Sequence, residues 1–171
     1  QDEPFGLRFT PTPTAGRWRW VPCALPASSE QEALHQVMSG EIDFQSQVVL
    51  EGNPPTTTTL CSEMDALASE SASITPVGDR WNPNRLELLT ASSKAGWLVV
   101  SDTFYPGWQA TIDGAPVEIL SANYLFRAIS LPAGEHTVVF TYQPPAFALG
   151  RWISLVSFTA FVAAWVLLRR I

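Results

Sequence analysis

Charged residues are scarce in this sequence, at 15%, and nowhere do the basic ones gather into a face. Arg8, Arg17, Arg19, Arg80, Arg85, Lys94 and Arg127 are scattered, the remaining arginines crowd the C-terminus, and the net charge is −6. A phosphate backbone demands a clustered basic surface, so a nucleic-acid partner is not expected. Cysteine and histidine are sparse too. Cys23 and Cys61 lie too far apart for a CxxC redox or zinc motif, and neither His35 nor His136 has a second ligand at metal-site spacing, so no metal or other cofactor is expected. There is no GxSxG elbow, no phosphate-cradling glycine-rich loop and no HExxH helix, which argues against catalysis by this chain alone. The first residues, Gln1-Asp2-Glu3-Pro4, supply neither a basic n-region nor an apolar h-region, so the numbered chain is expected to be a mature product or a fragment.

What the sequence does contain is a long apolar run at its end. Trp152 to Leu168, WISLVSFTAFVAAWVLL, carries no charge and would form about 25 Å of helix, enough for a bilayer core once anchors are added. Pro144 and Pro145 bar an earlier start. Trp152 and Trp165 would sit at the two interfaces, Arg151 would snorkel outward, and Arg169 with Arg170 would stop the span. Two basic residues after the span against one before it predict that Ile171 is cytoplasmic and everything before Gly150 extracytoplasmic. Ser154, Ser157, Ala160 and Ala164 recur at three- and four-residue steps, a stripe of small side chains that suits contact with a partner helix. Outside the cytoplasm, Cys23 and Cys61 are expected either to form a disulfide or to be two separate buried thiols; spacing leaves both open.

Seven tryptophans and fourteen prolines suit short strands and tight turns. From Arg85 to Tyr142 such strands follow one another. Arg85 to Ala91 and Trp97 to Asp102, unbroken in its apolar character as far as Val100, come first. Trp108 to Asp113 then sets Trp108, Ala110 and Ile112 on one face, before the Asp113-Gly114 turn. Val117 to Leu120, Phe126 to Leu131 and, after Pro132-Ala133-Gly134, His136 to Tyr142 complete the series. Upstream, Arg17 to Cys23 and Gln47 to Glu51 read as strands, and Ser29 with Glu32 as the capping box of a short helix. The expected architecture is a mainly β, antiparallel sandwich, jelly-roll or immunoglobulin-like, with a short helix and one C-terminal transmembrane helix. Its parts are an N-terminal β/α portion (1–51), a Pro/Thr/Ser-rich loop (52–79), a sandwich portion (80–145), and the membrane helix with a short cytoplasmic end (146–171).

Asp102 and Asp113 flank the turn Tyr105-Pro106-Gly107 and the strand that follows it, an arrangement that could pair two carboxylates across a glycosidic bond. A turn role for Asp113 and a strand-end role for Asp102 explain them better. Tyr105 and Tyr124, beside turns, are candidate exposed aromatics for a sugar ring or a lipid headgroup, whereas the alternation around Trp108 sends it toward the core. His35 and His136 are expected to be structural.

The motifs Asn84-Arg85-Leu86, Leu98-Val99-Val100-Ser101-Asp102-Thr103-Phe104-Tyr105-Pro106-Gly107-Trp108, Ala122-Asn123-Tyr124, Phe126-Arg127-Ala128, Leu131-Pro132-Ala133-Gly134-Glu135-His136 and Tyr142-Gln143-Pro144-Pro145 resemble, in order and spacing, the C-terminal extracytoplasmic domain of bacterial YfhO-like membrane proteins. A fainter likeness covers residues 17–51. The resemblance implies a β domain and a last membrane helix in the bacterial inner membrane, taken from long multi-pass proteins related to lipid-sugar-dependent glycosyltransferases. The part of such proteins that holds acidic catalytic residues has no counterpart here, so none is carried over. Two roles are expected. One is a non-catalytic accessory subunit packed against other integral membrane proteins, in an energy-transducing, respiratory or photosynthetic complex. The other is the end of a YfhO-like transferase that positions a lipid-linked sugar or acceptor, with a tethered carbohydrate-binding module as a variant.

Overall fold

The computed structural model describes residues 16–52, 61, 72–78 and 82–169. Among these residues eleven strands and two helices follow in chain order: β1 (Trp18–Val21), β2 (Cys23–Ala27), α1 (Glu30–Met38), β3 (Gln47–Glu51), β4 (Ser73–Pro76), β5 (Arg85–Ser92), β6 (Gly96–Val100), β7 (Trp108–Ile112), β8 (Ala115–Val117), β9 (Leu120–Ala122), β10 (Phe126–Leu131), β11 (Gly134–Tyr142) and α2 (Pro145–Leu168). They build two sheets, one of six strands in the order β1-β6-β10-β9-β3-β2 and one of five in the order β4-β5-β11-β7-β8. The first sheet takes strands both from residues 16–51 and from residues 85–142.

The larger sheet is forced to curl. β1 and β2 sit at its opposite edges, yet only Pro22 separates them in the chain. One residue reaches about 3.5 Å, whereas six flat strands would hold their edges some 24 Å apart. The sheet therefore rolls until its edges meet. Val21, Ala24, Val48, Leu50, Trp97, Val99, Ala122 and Ala128 form the cluster inside the roll. Gly96 closes it, because a Cβ there would lie 2.6 Å from both the Trp20 ring and the Val21 carbonyl.

The period-two alternation of β6 sends Trp97 and Val99 into the roll and Leu98 and Val100 outward. This strand is buried at every residue, as its unbroken apolar run predicts. Leu98 and Val100, with Trp20, Ile129 and Leu131, meet Leu86, Leu88, Ala110, Ile112, Val138 and Phe140 of the second sheet in the main core. Helix α1 covers the other end of the roll's outer face through Ala33, Val37, Ala27 and Val49.

Several expectations change. The strand expected over Arg17 to Cys23 is two strands, split at Pro22, which has no N–H for a ladder. β2 and β3 pair in parallel across α1, so the fold is neither purely antiparallel nor immunoglobulin-like. The strand expected over Val117 to Leu120 is also two, since β8 belongs to one sheet and β9 to the other. The stretch 52–79, expected as a loop, holds β4, paired with β5 from Ser73↔Ala91 to Pro76↔Leu88; its Thr-rich run lies outside the described residues. Ser29 caps α1, its hydroxyl accepting from the Glu32 amide at 3.2 Å, but the Glu32 carboxylate turns back to Ser28 rather than to Ser29.

The C-terminal helix forms, 24 residues long, and presents apolar side chains on all sides, Phe147, Ile153, Val156, Phe158 and Phe161 among the most exposed. Among the described residues, however, no helix is long and apolar enough to cross a membrane. The transmembrane assignment is thus not carried by the fold. Its uncharged stretch begins only after Arg151, and about 25 Å of it falls short of a hydrocarbon core of roughly 30 Å.

Cys23 and Cys61 form a disulfide across a separation of 38 residues, and the Cys61 amide donates to the Ala24 carbonyl at 3.0 Å. Closing a loop of that length removes denatured-state entropy corresponding to about 4 kcal/mol. Urea denaturation with and without reductant should show a loss of that order; a loss under about 1 kcal/mol would mean that the unlinked chain stays equally constrained.

Candidate functional site

The long family-like motif around residues 98–108 ends β6, turns and begins β7. Asp102, just past β6, receives Arg17 in a two-pronged pair, Nε to Oδ1 at 2.9 Å and Nη2 to Oδ2 at 2.8 Å. The same Oδ2 accepts from Arg127 Nη2 at 2.8 Å. Arg127 lies within the sandwich, 1% exposed. Its Nε and Nη1 have no hydrogen-bond partner among the described residues; instead the guanidinium stacks 3.7 Å from the Trp108 ring centroid and 5.4 Å from that of Phe140. The electron-rich ring faces replace part of the lost hydration.

Burial alone would raise the Asp102 carboxyl, but hydrogen bonding and charge from Arg17, with the charge of Arg127, outweigh it and hold the group below the usual carboxylate range. Burial pulls Arg127 down and the Asp102 charge partly restores it; a guanidinium stays charged throughout. Two cations and one anion leave a net positive knot where the two sheets meet.

Around this knot the aromatic side chains form a chain. Trp108 packs on Tyr142 at 5.2 Å, and Tyr142 on Tyr105 at 6.5 Å. Gly107, at φ 108°, is the tight point: a Cβ there would lie 3.0 Å from Pro144 Cα, and its carbonyl accepts from the Gln143 amide at 2.7 Å. The turn is thereby fastened to the residues that lead into α2. From the other sheet, the β9–β10 tip joins through the Phe104 amide, which donates to the Leu125 carbonyl at 2.8 Å. That tip is anchored by the buried Asn123, whose Oδ1 accepts from the Val49 amide at 2.8 Å. Asn123 and Tyr124 both take positive φ, 48° and 70°, a conformation natural for asparagine and costly for tyrosine.

Tyr105 stands 60% exposed at the rim of an open groove of about 500 Å³ whose lining includes Phe104, Trp108, Gln109, Thr111 and Glu118. Tyr124 is half-buried on the neighbouring tip, outside that lining. Aromatic faces beside an amide, a hydroxyl and a carboxylate are the groups that hold a sugar, stacking on its apolar face and bonding its hydroxyls.

The two aspartates are not brought together. Asp113 lies beyond the far end of β7, a strand of five residues. There it binds the Thr137 amide at 2.8 Å and His136 Nδ1 at 2.7 Å, and the bond raises the His136 pKa and lowers that of Asp113. A carboxylate pair across one glycosidic bond is therefore ruled out. Among the described residues no cluster of His, Cys, Asp and Glu could hold a metal ion. Trp152, Arg151, Ser154, Ser157, Ala160 and Ala164 are all exposed along α2, Arg169 stacks on Trp165 at 4.2 Å, and Arg170 lies outside the described residues. Arg17 and Arg127 are the functional candidates that sequence reasoning passed over. A lone arginine at an inward position of the β10 alternation was the available signal.

Replacing Asp102 by alanine strands the buried Arg127 charge and should cost about 3 kcal/mol. Adding Arg127→Met should return part of it, since a buried thioether needs no counter-charge. Chemical denaturation of the single and double variants measures this; additive losses would show that the two side chains do not depend on each other.

A family model described as bacterial membrane protein YfhO matches residues 54–154. A protein of Bacillus subtilis (strain 168), described as uncharacterized protein YfhO, is 34% identical over 77 residues, which are 45% of this chain and 9% of the relative. The chain thus matches only a small part of the relative's length. No solved structure matches. The matched span runs from the Thr-rich stretch through the Asp102 turn and the β9–β10 tip into the first turns of α2, and on that extent the chain belongs to the YfhO family of bacterial membrane proteins.

Proposed function

We propose that this chain is the C-terminal part of a multi-pass, glycosyltransferase-related membrane protein, with α2 as its last membrane helix, and that its β domain positions a lipid-linked sugar or acceptor at the outer membrane surface. The observation that carries this is the place of the groove. Its lining runs along β7 and β8 from Phe104 and Tyr105, beside the residues that lead into α2, to Thr111 and Pro116, so one end of it lies where a sugar carried on a membrane lipid would stand. Family membership supports association with a membrane. The disulfide supports an oxidising, extracytoplasmic compartment, and Arg169 and Arg170 support a cytoplasmic end.

The shortness of the uncharged stretch favours a helix among neighbours over a lone anchor. A stretch some 5 Å short of the core is accommodated by local thinning and by helix association, for which Ser154, Ser157, Ala160 and Ala164 offer a close-packing face. The accessory-subunit expectation gains no support from the relatives.

Immunoblotting of native membranes with an antibody to the β domain should reveal a polypeptide far larger than 18.8 kDa; a band at that mass, co-purifying with stoichiometric partners, would overturn the proposal in favour of an accessory subunit. In nanodiscs, Tyr105→Ala should weaken binding of a polyprenyl-phosphate sugar about three- to tenfold, and unchanged binding would remove the groove from the proposal.

A further inference from the structure

The β sandwich has two unlike ends. At the end distant from α2 lie the Asp113-Gly114 turn, the Pro132–Gly134 turn and the Asp113–His136 pair, all polar or small. At the other end three large apolar side chains stand in solvent on two adjoining turns: Phe104 at 37%, Tyr105 at 60% and Leu125 at 53% exposure. They share a rigid base, since the Phe104 amide binds the Leu125 carbonyl and Tyr105 packs on Tyr142. From Tyr142 the chain runs directly into α2. The six helical steps from Pro145 to Arg151 rise about 9 Å, close to the depth of one headgroup layer. With Arg151 at the edge of the hydrocarbon, the two turns stand at headgroup height.

We propose that Phe104, Tyr105 and Leu125 form an end-on contact with the outer leaflet, so that the β domain stands on the lipid surface rather than swinging from α2. The inference rests on the membrane placement of α2 proposed above. Tyrosine, with an apolar ring and a polar tip, is at home in that layer, and Phe104 and Leu125 bring further apolar surface to the same height. Of the Arg17–Asp102–Arg127 knot behind them, Arg17 is the partly exposed cation, whereas Arg127 is buried. Tilting the domain would withdraw these side chains into water and would strain the hydrogen bond from Gln143 to Gly107.

The test uses the full chain in vesicles of phosphatidylcholine and phosphatidylglycerol, with a nitroxide label placed in turn through Phe104→Cys, Leu125→Cys, Phe158→Cys and Glu135→Cys. The native disulfide leaves Cys23 and Cys61 unlabelled. Collision with oxygen, which concentrates in lipid, is compared with collision with a water-soluble nickel chelate. Labels at 104 and 125 should gain oxygen and lose nickel accessibility relative to 135, lying between 135 and 158. If 158 is in lipid while 104 and 125 match 135, the end-on contact is wrong and the placement of α2 survives. If 104 and 125 are shielded from both reagents, protein covers them and the lipid contact is again wrong. If 158 itself is open to nickel, both proposals fail.

Discussion

Asp102 is a half-exposed carboxylate on which two arginines converge, and its position decides what the rest of the domain can do. Arg127 comes from a roll strand, points into the sandwich and stacks on Trp108 and Phe140 of the opposite sheet. A guanidinium buried to this extent is tolerated only with a counter-charge and ring faces to replace water. The one carboxylate therefore fixes the loop after β6, and that loop carries the turn packed against the residues entering α2. Asp102 thus links the packing of two sheets to the geometry of the helix junction.

The second constraint is covalent. A single proline between strands at opposite edges makes the larger sheet a roll, and the disulfide pins β2 to Cys61 close to that seam. Rolling gives the sheet a private interior and leaves its outer face for the second sheet and α1. Both faces of that sheet are thus buried, with the nine-residue α1 as the helix packed on it.

Much of this was legible in the sequence, and the failures have physical causes. β6, β7, β10 and β11 were readable because burial on one or both faces writes period-two or continuous apolar patterns. The parallel pairing of β2 with β3 was not, because a strand followed by a helix and a strand permits several sheet orders. β4 was hidden since it is an edge strand with a single half-buried residue, Ile74, and so leaves no pattern. At the junction, the exposure of Tyr105 beside its turn was predictable. The ion pairs of Asp102 were not: its partners lie 85 and 25 residues away in sequence, and no local signal records such a contact. The apolar C-terminal run was plain and does form a helix, but among the described residues no helix is long and apolar enough to cross a membrane.

The junction is a fixed part of the fold rather than a flexible tether. Native-state hydrogen exchange of the full chain measures this at the amides of Phe104 and Gln143, whose bonds to Leu125 and Gly107 close the two turns. Protection comparable to that of the central strand β6 is predicted, because opening either amide would disturb the aromatic chain and the Asp102 knot. Exchange at the rate of an unstructured chain at both amides, with β6 still protected, would contradict it.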